Sequence, residues 1–145
     1  MFERIKNIFF NNKPRLNRHS DRSILVVEDN EIDRSIIERA LARAGYTVRL
    51  AANGAEGLES VKTHRPDLIL LDYEMPIIGG VEMCRLIKEN DITKNIPIVF
   101  LTSADNPKNI VECFELDAEN YLNKPVKPKL LISEIDAILS EHTTT

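Results

Sequence analysis

Acidic, hydroxyl and ammonium side chains stand at the ends of four short apolar segments of the chain. They are Glu28, Asp29, Asp72, Thr102 and Lys124. Three carboxylates brought together repel one another, so unless they are protonated they need a cation, and an all-oxygen set favours a hard ion such as Mg²⁺. A lysine and a hydroxyl beside them would bind an incoming anion. The combination predicts a site where Asp72 accepts a transferred phosphoryl group.

The segment Leu68 to Asp72 indicates how these side chains meet. Four aliphatic residues run without a break into a carboxylate, which is typical of a strand buried on both faces of a parallel sheet. Ligands bind at the carboxyl ends of the strands in such sheets. On Asp72 alone, a carboxylate that merely leaves a buried strand into a turn is an equally good interpretation. The other four side chains decide for function.

Strands and helices are predicted to alternate along the chain. The predicted strands are 24–27, 47–51, 68–72, 97–101 and 121–122. The predicted helices are one that ends at Gly45, 54–64, 81–90, one that begins at Pro107, and 128–140. This alternation predicts an α/β fold with a doubly wound, five-stranded parallel sheet and right-handed crossovers. The carboxyl ends of all five strands then lie at one edge, where the five polar side chains converge.

Apolar spacing and capping residues predict the detail of the helices. The predicted core stripe of the first helix is Ile32, Ile36, Ile37, Ala40, Leu41 and Ala44. That of the fourth helix is Ile110, Val111 and Phe114. Asn53 and Asn106 are predicted to cap the second and fourth helices. Cys84 and Cys113 fall inside predicted helices and are expected to be reduced core thiols.

Composition places the chain among globular domains of ordinary size. Of the 145 residues, 43% are hydrophobic and 29% are charged, and no apolar run approaches a membrane span. The net charge of -4 combines +4 over residues 1–22 with -8 over the remainder. An acidic body argues against general nucleic-acid binding. We therefore expect a cytoplasmic protein whose partners are other proteins.

The two ends of the chain are expected to lie outside the folded domain, which is predicted over residues 23–142. Residues 1–22 form a basic extension and linker, in which Phe2, Ile5, Ile8 and Phe9 could share one helix face. Two interpretations stay open: a flexible leader, or an amphipathic segment that docks on a partner or a membrane surface. Residues 143–145 are expected to be a disordered tail.

The motifs resemble, as an ordered set, those of the receiver domains of two-component response regulators, similar to the single-domain bacterial chemotaxis type. The match runs from Ser23 to about Ser140. Each motif is weak alone, whereas Glu28-Asp29, Asp72, Thr102 and Lys124-Pro125 in this order are specific. The resemblance implies a flavodoxin-like (βα)5 fold with strand order 2-1-3-4-5.

The resemblance also implies a role for each site residue. Asp72 matches the phosphoacceptor, and Asp29 matches a direct Mg²⁺ ligand. Glu28 matches an acidic neighbour that acts through water, and the backbone carbonyl of Glu74 falls where the family supplies a further ligand. The remaining matches are Thr102 as the switch hydroxyl, Lys124 as the phosphate-pairing lysine and Tyr121 as the aromatic that moves on activation. The Lys124–Pro125 peptide bond is expected to be cis.

Three residues depart from the pattern of that family. Asp117 stands where a small residue or glycine is frequent, so the loop before the fifth strand is expected to differ. Val126 replaces a frequent Phe and is expected to change the output surface. Glu74 adds a negative charge near the phosphoryl site and is expected to affect the lifetime of the phosphoryl group.

The resemblance implies a signalling switch and not an enzyme. A histidine kinase or a histidine phosphotransfer protein would donate the phosphoryl group to Asp72 with Mg²⁺ present. The face formed by the fourth helix, fifth strand and fifth helix would then bind a different partner or form a homodimer. The chain could also be a piece of a larger regulator with an enzymatic or DNA-binding output.

Two rival functions fit the residues less well. A haloacid-dehalogenase-type phosphatase would need a second Asp two positions after the nucleophile, where this chain has Glu74. A flavodoxin-like cofactor binder would need a Ser/Thr/Gly-rich phosphate loop after the first strand. The acidic residues Glu28 and Asp29 stand there instead and would repel an anion.

Overall fold

The computed structural model describes residues 21–103 and 107–142, which form five strands and five helices in strict alternation. The strands are β1 (Ser23–Val27), β2 (Thr47–Ala51), β3 (Leu68–Asp72), β4 (Ile98–Thr102) and β5 (Asn120–Asn123). The helices are α1 (Glu31–Arg43), α2 (Gly54–Thr63), α3 (Gly80–Glu89), α4 (Pro107–Glu115) and α5 (Pro128–Glu141). Residues 1–20 of the predicted extension, the predicted Asn106 cap and the predicted 143–145 tail lie outside the described residues.

All five strands are parallel and follow the order β2-β1-β3-β4-β5, which confirms the predicted fold and strand order. Every residue of β3 and β4 is buried, because helices cover both faces of the sheet centre. The edge strand β2 is more exposed, and Leu50 retains 40% of its surface.

Two layers of apolar side chains fill the space between the sheet and the helices. On one face, α1 and α5 pack on the sheet through Ile37, Leu41, Leu131 and Ile135. On the other face, α2, α3 and α4 contribute the buried residues Val61, Met83, Cys84, Ile87 and Cys113. The two free thiols of Cys84 and Cys113 are buried, as predicted, and burial raises the pKa of each to about 11.

Asparagine side chains begin two of the helices. Asn30 accepts a hydrogen bond from the Asp33 amide at 2.9 Å, and Asn53 accepts one from the Glu56 amide at 2.9 Å. The Glu56 carboxylate accepts in turn from the Ala52 amide at 2.7 Å. The bond to Asn53 satisfies an amide that the first turn of α2 leaves without a partner, and the bond from Ala52 ties the residue before the cap to that turn. The predicted Asn53 cap is therefore confirmed.

The predicted core stripes of α1 and α4 were partly wrong. Ile32 and Ile36 are 71% and 47% exposed, and Val111 and Phe114 are 54% and 52% exposed. At about 100° per residue, Ile32 and Ile36 lie about 140° and 100° from Ile37 around the helix, so they face away from the sheet. The same geometry places Val111 and Phe114 about 160° and 100° from Cys113, the one residue that α4 buries.

Candidate functional site

Backbone hydrogen bonds at the ends of the strands hold the predicted side chains at one edge of the sheet. Glu28 follows β1, and its amide donates to the Ala51 carbonyl at 3.0 Å. Asp72 is the last residue of β3 and lies opposite Leu101 of β4. Lys124 follows β5, and its amide donates to the Thr102 carbonyl at 2.8 Å. The neighbouring parallel strands therefore bring these residues to a common edge.

Three carboxylates meet at this edge. Glu28, Asp29 and Asp72 each offer an oxygen, and these oxygens lie within 4.8 Å of one another. Glu28 is fully buried and Asp72 is 4% exposed, whereas Asp29 is open to solvent. Two buried acids and an exposed third therefore form a cluster that solvent reaches at Asp29.

The ammonium group of Lys124 lies among these acids. Its nitrogen is 2.5 Å from Oε1 of Glu28, 3.2 Å from Oδ2 of Asp72 and 3.8 Å from Oδ2 of Asp33. Although Oε1 of Glu28 is this close to the ammonium, it is buried and accepts no well-directed hydrogen bond. Asp33, on the first turn of α1, was not predicted as part of the site, because the sequence argument considered the ends of strands only.

Backbone and side-chain donors fix the orientation of the two buried acids. Oε2 of Glu28 accepts from the Asn30 amide at 3.2 Å, and Oδ1 of Asp72 accepts from the Glu74 amide at 3.2 Å. Arg34 donates to the Glu28 carbonyl at 2.9 Å. Arg34 was also missed from the sequence, since no motif marked a helix residue that returns to the end of β1.

The proximity of the acids changes their protonation. Burial, together with the neighbouring Glu28 and Asp29, raises the pKa of Asp72 to about 8, and Lys124 opposes this shift. Burial also acts to raise the pKa of Asp29, but hydrogen bonds with Asp72 and Glu28 lower it overall. The pKa of Lys124 is raised, because its carboxylate partners outweigh its burial. Without a further cation, the crowding of these acids therefore favours a proton held by the cluster as a whole.

The donor set fits Mg²⁺. All three side chains offer oxygen, the ligand that this ion prefers, and the buried Oε1 of Glu28 has no well-directed hydrogen-bond donor. Lys124 supplies one positive charge against three carboxylates, so a divalent cation would balance the rest.

A family model, the response regulator receiver domain, matches residues 24–136 of the chain. The chain belongs to this family. The predicted resemblance is thereby confirmed.

Curated relatives of this receiver domain are regulators of transcription. The chain is 38% identical over 117 residues to the transcriptional regulatory protein AfsQ1 of Streptomyces coelicolor, covering 81% of this chain and 51% of that protein. It is 35% identical over 118 residues to the phosphate regulon transcriptional regulatory protein PhoB of Pseudomonas aeruginosa, with coverages of 81% and 52%. The receiver domain described here spans about half the length of these relatives.

Solved structures include close matches to the same fold. The receiver domain of a signal transduction histidine kinase from Syntrophus aciditrophicus superposes with a TM-score of 0.79 at 31% identity, covering 86% of this chain and 94% of that one. The chemotaxis protein CheY4 of Vibrio cholerae gives 0.76 at 30% identity, with coverages of 80% and 97%. Both structures match almost along their whole length, so the fold of this chain is that of a receiver domain.

Two further residues of the predicted site, Thr102 and Tyr121, lie on the neighbouring strands β4 and β5. Thr102 is 2% exposed at the end of β4, beside the backbone of Lys124. Tyr121 is half-buried in β5, and its ring meets Phe114 of α4 edge-on with centroids 6.0 Å apart. Tyr121 therefore contacts α4, whereas Asp72, Glu28 and Lys124 form the charged cluster.

The three residues that depart from the family pattern have defined places. Asp117 adopts φ 64°, the left-handed region that favours glycine, in the loop before β5. Val126 is half-buried against the α1–α5 layer, and the Glu74 side chain is exposed two residues beyond Asp72. The Lys124–Pro125 peptide bond that precedes Val126 is cis.

Among the described residues of this receiver domain, none of the helices has both the length and the apolar character that crossing a membrane requires.

The loop between β3 and α3 carries backbone strain close to Asp72. Ile77 adopts φ 72°, where a β-branched side chain is rare, and it is 79% exposed. Its side chain therefore gains little from burial while its backbone adopts a costly conformation.

Replacing Ile77 with glycine is expected to stabilise the protein by about 1 kcal/mol, because glycine adopts this φ without penalty. The free energy of unfolding from urea titration is the measurement. Ile92→Gly is the matched control, since Ile92 is 76% exposed in a loop where no positive φ occurs. The control should be neutral or slightly destabilising. A loss of stability in Ile77→Gly as large as in the control would contradict the strain argument.

Proposed function

We propose that this chain is the phosphoacceptor switch of a two-component phosphorelay and that Asp72 receives the phosphoryl group. The observation that carries the proposal is the cluster of Glu28, Asp29 and Asp72 oxygens within 4.8 Å, with the Lys124 ammonium 3.2 Å from Asp72. A buried carboxylate between acids and an ammonium has both a nucleophilic oxygen and a group that binds phosphate.

The donor in this proposal is a phosphohistidine of a histidine kinase or a histidine phosphotransfer protein. A carboxylate oxygen of Asp72 attacks the phosphorus, and the new O–P bond forms as the P–N bond breaks. The imidazole nitrogen leaves with the bonding electron pair. Asp72 must be ionised to attack, so any group that favours its carboxylate over the protonated form promotes the step.

Asp29, Asp72 and the backbone carbonyl of Glu74 would hold Mg²⁺ directly, with Glu28 acting through water. When bound, this ion would supply positive charge to the phosphoryl oxygens and favour the ionised form of Asp72. Lys124 pairs with a further phosphoryl oxygen, for which it exchanges its present contact with Asp72.

Thr102 and Tyr121 transmit the change in this proposal. The Thr102 hydroxyl turns toward the phosphoryl group, and Tyr121 moves into the space beside it. Tyr121 now packs on Phe114, so its movement alters the surface formed by α4, β5 and α5. That surface then favours a different protein partner or a second copy of the chain, as a shift between two populated states.

For the downstream response, we propose only the general class of output. The curated transcriptional regulators AfsQ1 and PhoB are about twice as long as the region that matches this chain, so control of transcription through an additional domain or partner is one outcome of the switch. Residues 1–22 are proposed as an extension outside the receiver domain of residues 23–142, with 143–145 as a tail. The extension either acts as a leader or docks on a partner or membrane surface.

Asp72→Asn is expected to abolish phosphorylation by acetyl phosphate with Mg²⁺, because the amide is a poor nucleophile. The measurement is the acid-labile phosphate on the intact chain by mass spectrometry. Asp91→Asn is the matched control, since the Asp91 side chain is 93% exposed in an unrelated loop, and it should be labelled like wild type. Equal labelling of Asp72→Asn and wild type, or no labelling of wild type, would overturn the proposal.

A further inference from the structure

Helix α4 is the least buried of the five helices relative to its apolar content. Among its nine residues only Cys113 is buried, while Val111 and Phe114 are more than half exposed. A helix this short is marginal when isolated, so its position depends on the few side chains that attach it to the sheet. The response of α4 to a change at the charged cluster therefore depends on which side chains make these contacts.

One attachment runs to β5 and the other to the end of β3. Phe114 meets Tyr121 edge-on, which is the contact already described. Two residues earlier in the helix, the Glu112 carboxylate accepts a hydrogen bond from the Tyr73 hydroxyl. Tyr73 directly follows Asp72 in the chain, so the second attachment begins one residue from the proposed phosphoacceptor.

Tyr73 is itself held firmly at the sheet. Its amide donates to the Leu101 carbonyl at 2.8 Å, and its ring meets Phe100 edge-on with centroids 5.9 Å apart. Burial and the Glu112 carboxylate raise the pKa of Tyr73 to about 12, so its hydroxyl remains a donor at neutral pH. Because both the backbone and the ring of Tyr73 are held in place, its hydroxyl would transmit a displacement at the end of β3 to the Glu112 carboxylate.

We propose that Tyr73 is a positioning residue whose hydrogen bond to Glu112 holds α4 in the arrangement of the unmodified protein. This bond couples α4 to the end of β3 separately from the contact between Phe114 and Tyr121. Only the consequence of this coupling for signalling rests on the proposed function, because modification of Asp72 would act on the adjacent Tyr73. The hydrogen bond and its effect on α4 belong to the unmodified chain.

The test measures amide hydrogen exchange in the full, unmodified chain by mass spectrometry. Tyr73→Phe keeps the ring and removes the hydroxyl, and it is expected to speed exchange of the α4 amides about tenfold, as the loss of one hydrogen bond to a charged acceptor implies. Tyr46→Phe is the matched control, because Tyr46 also donates to a carboxylate, Asp136, in the layer that does not contain α4. The control should leave α4 exchange unchanged.

A double-mutant cycle separates this coupling from a general loss of stability. Glu112→Ala removes the acceptor and should speed α4 exchange in the same direction, and the variant with both substitutions should exchange little faster than either alone. The proposal would be overturned if the α4 amides of Tyr73→Phe exchanged at the wild-type rate, or if Tyr46→Phe accelerated their exchange as much as Tyr73→Phe does. It would also be overturned if the accelerations of the two single variants multiplied in the double variant.

Labelling by acetyl phosphate on the same proteins keeps the two proposals distinguishable. Tyr73→Phe should still be labelled, since Tyr73 contributes no group to the charged cluster. If wild type and Tyr73→Phe both fail to be labelled while α4 exchange responds as expected, the phosphoacceptor assignment fails and the role of Tyr73 stands.

Discussion

Replacing Gly80 with alanine is expected to destabilise the protein by about 3 kcal/mol or more and to weaken magnesium binding. Gly80 is the first residue of α3 and is buried against the end of β3. A Cβ added there would lie 2.2 Å from the Asp72 carbonyl oxygen and 3.1 Å from the Tyr73 Cα. Both neighbours are backbone atoms in the sheet, so the clash is relieved only if α3 or Asp72 moves.

Gly79→Ala is the matched control for this substitution. A Cβ at Gly79 would lie 3.8 Å from the Met75 carbonyl oxygen, an ordinary contact, and the φ of -75° suits alanine. Urea titration should therefore separate the two neighbours by most of the expected 3 kcal/mol. Similar stabilities for Gly79→Ala and Gly80→Ala would show that the close approach of α3 to Asp72 is not maintained in solution.

The convergence of the charged residues was predictable from sequence because it depends on topology alone. A buried run that ends in Asp72 identifies a central strand, and strictly alternating strands and helices imply parallel strands whose ends share an edge. Glu28, Asp72 and Lys124 then meet whatever the details of helix packing. The contacts of Lys124 with Glu28 and Asp72 in the structure agree with that expectation.

Contacts that depend on how a helix is rotated were not predictable. Apolar spacing identified α4 as a helix but not which arc faces the sheet, and Cys113 is buried in place of Val111 and Phe114. The hydrogen bond between Tyr73 and Glu112 spans 39 residues and joins two polar side chains, which no periodic pattern marks. The left-handed backbone of Ile77 is equally invisible, since its residue type argues against that conformation.

These two kinds of contact have different consequences for function. The charged cluster is where we propose that a phosphoryl group and a cation bind, and its position follows from the order of the strands. The attachment of α4 depends on individual side chains such as Tyr73 and Phe114. Receiver domains with the same cluster can therefore differ in how the cluster controls the surface that partners contact.

Asp72→Asn is expected to stabilise the metal-free protein at pH 8 by about 3 kcal/mol, although the same substitution removes the proposed phosphoacceptor. Asp72 is 4% exposed beside the fully buried Glu28, and its pKa rises from 3.8 to about 8 on folding. The folded state therefore binds more protons at this residue than the unfolded state between these values. The contribution of Asp72 to stability is fully present below pH 3.8 and is lost as the pH rises toward 8.

An asparagine at position 72 removes this dependence, because the amide carries no charge to desolvate and no proton to lose. Urea titrations of wild type and Asp72→Asn with a chelator should give stabilities that diverge as the pH rises from 5 to 8. Adding Mg²⁺ should stabilise wild type and reduce the difference, since the ion favours the ionised carboxylate in the folded state only. Metal-free wild type that stays as stable as Asp72→Asn across this range would contradict the crowding of acids around Lys124.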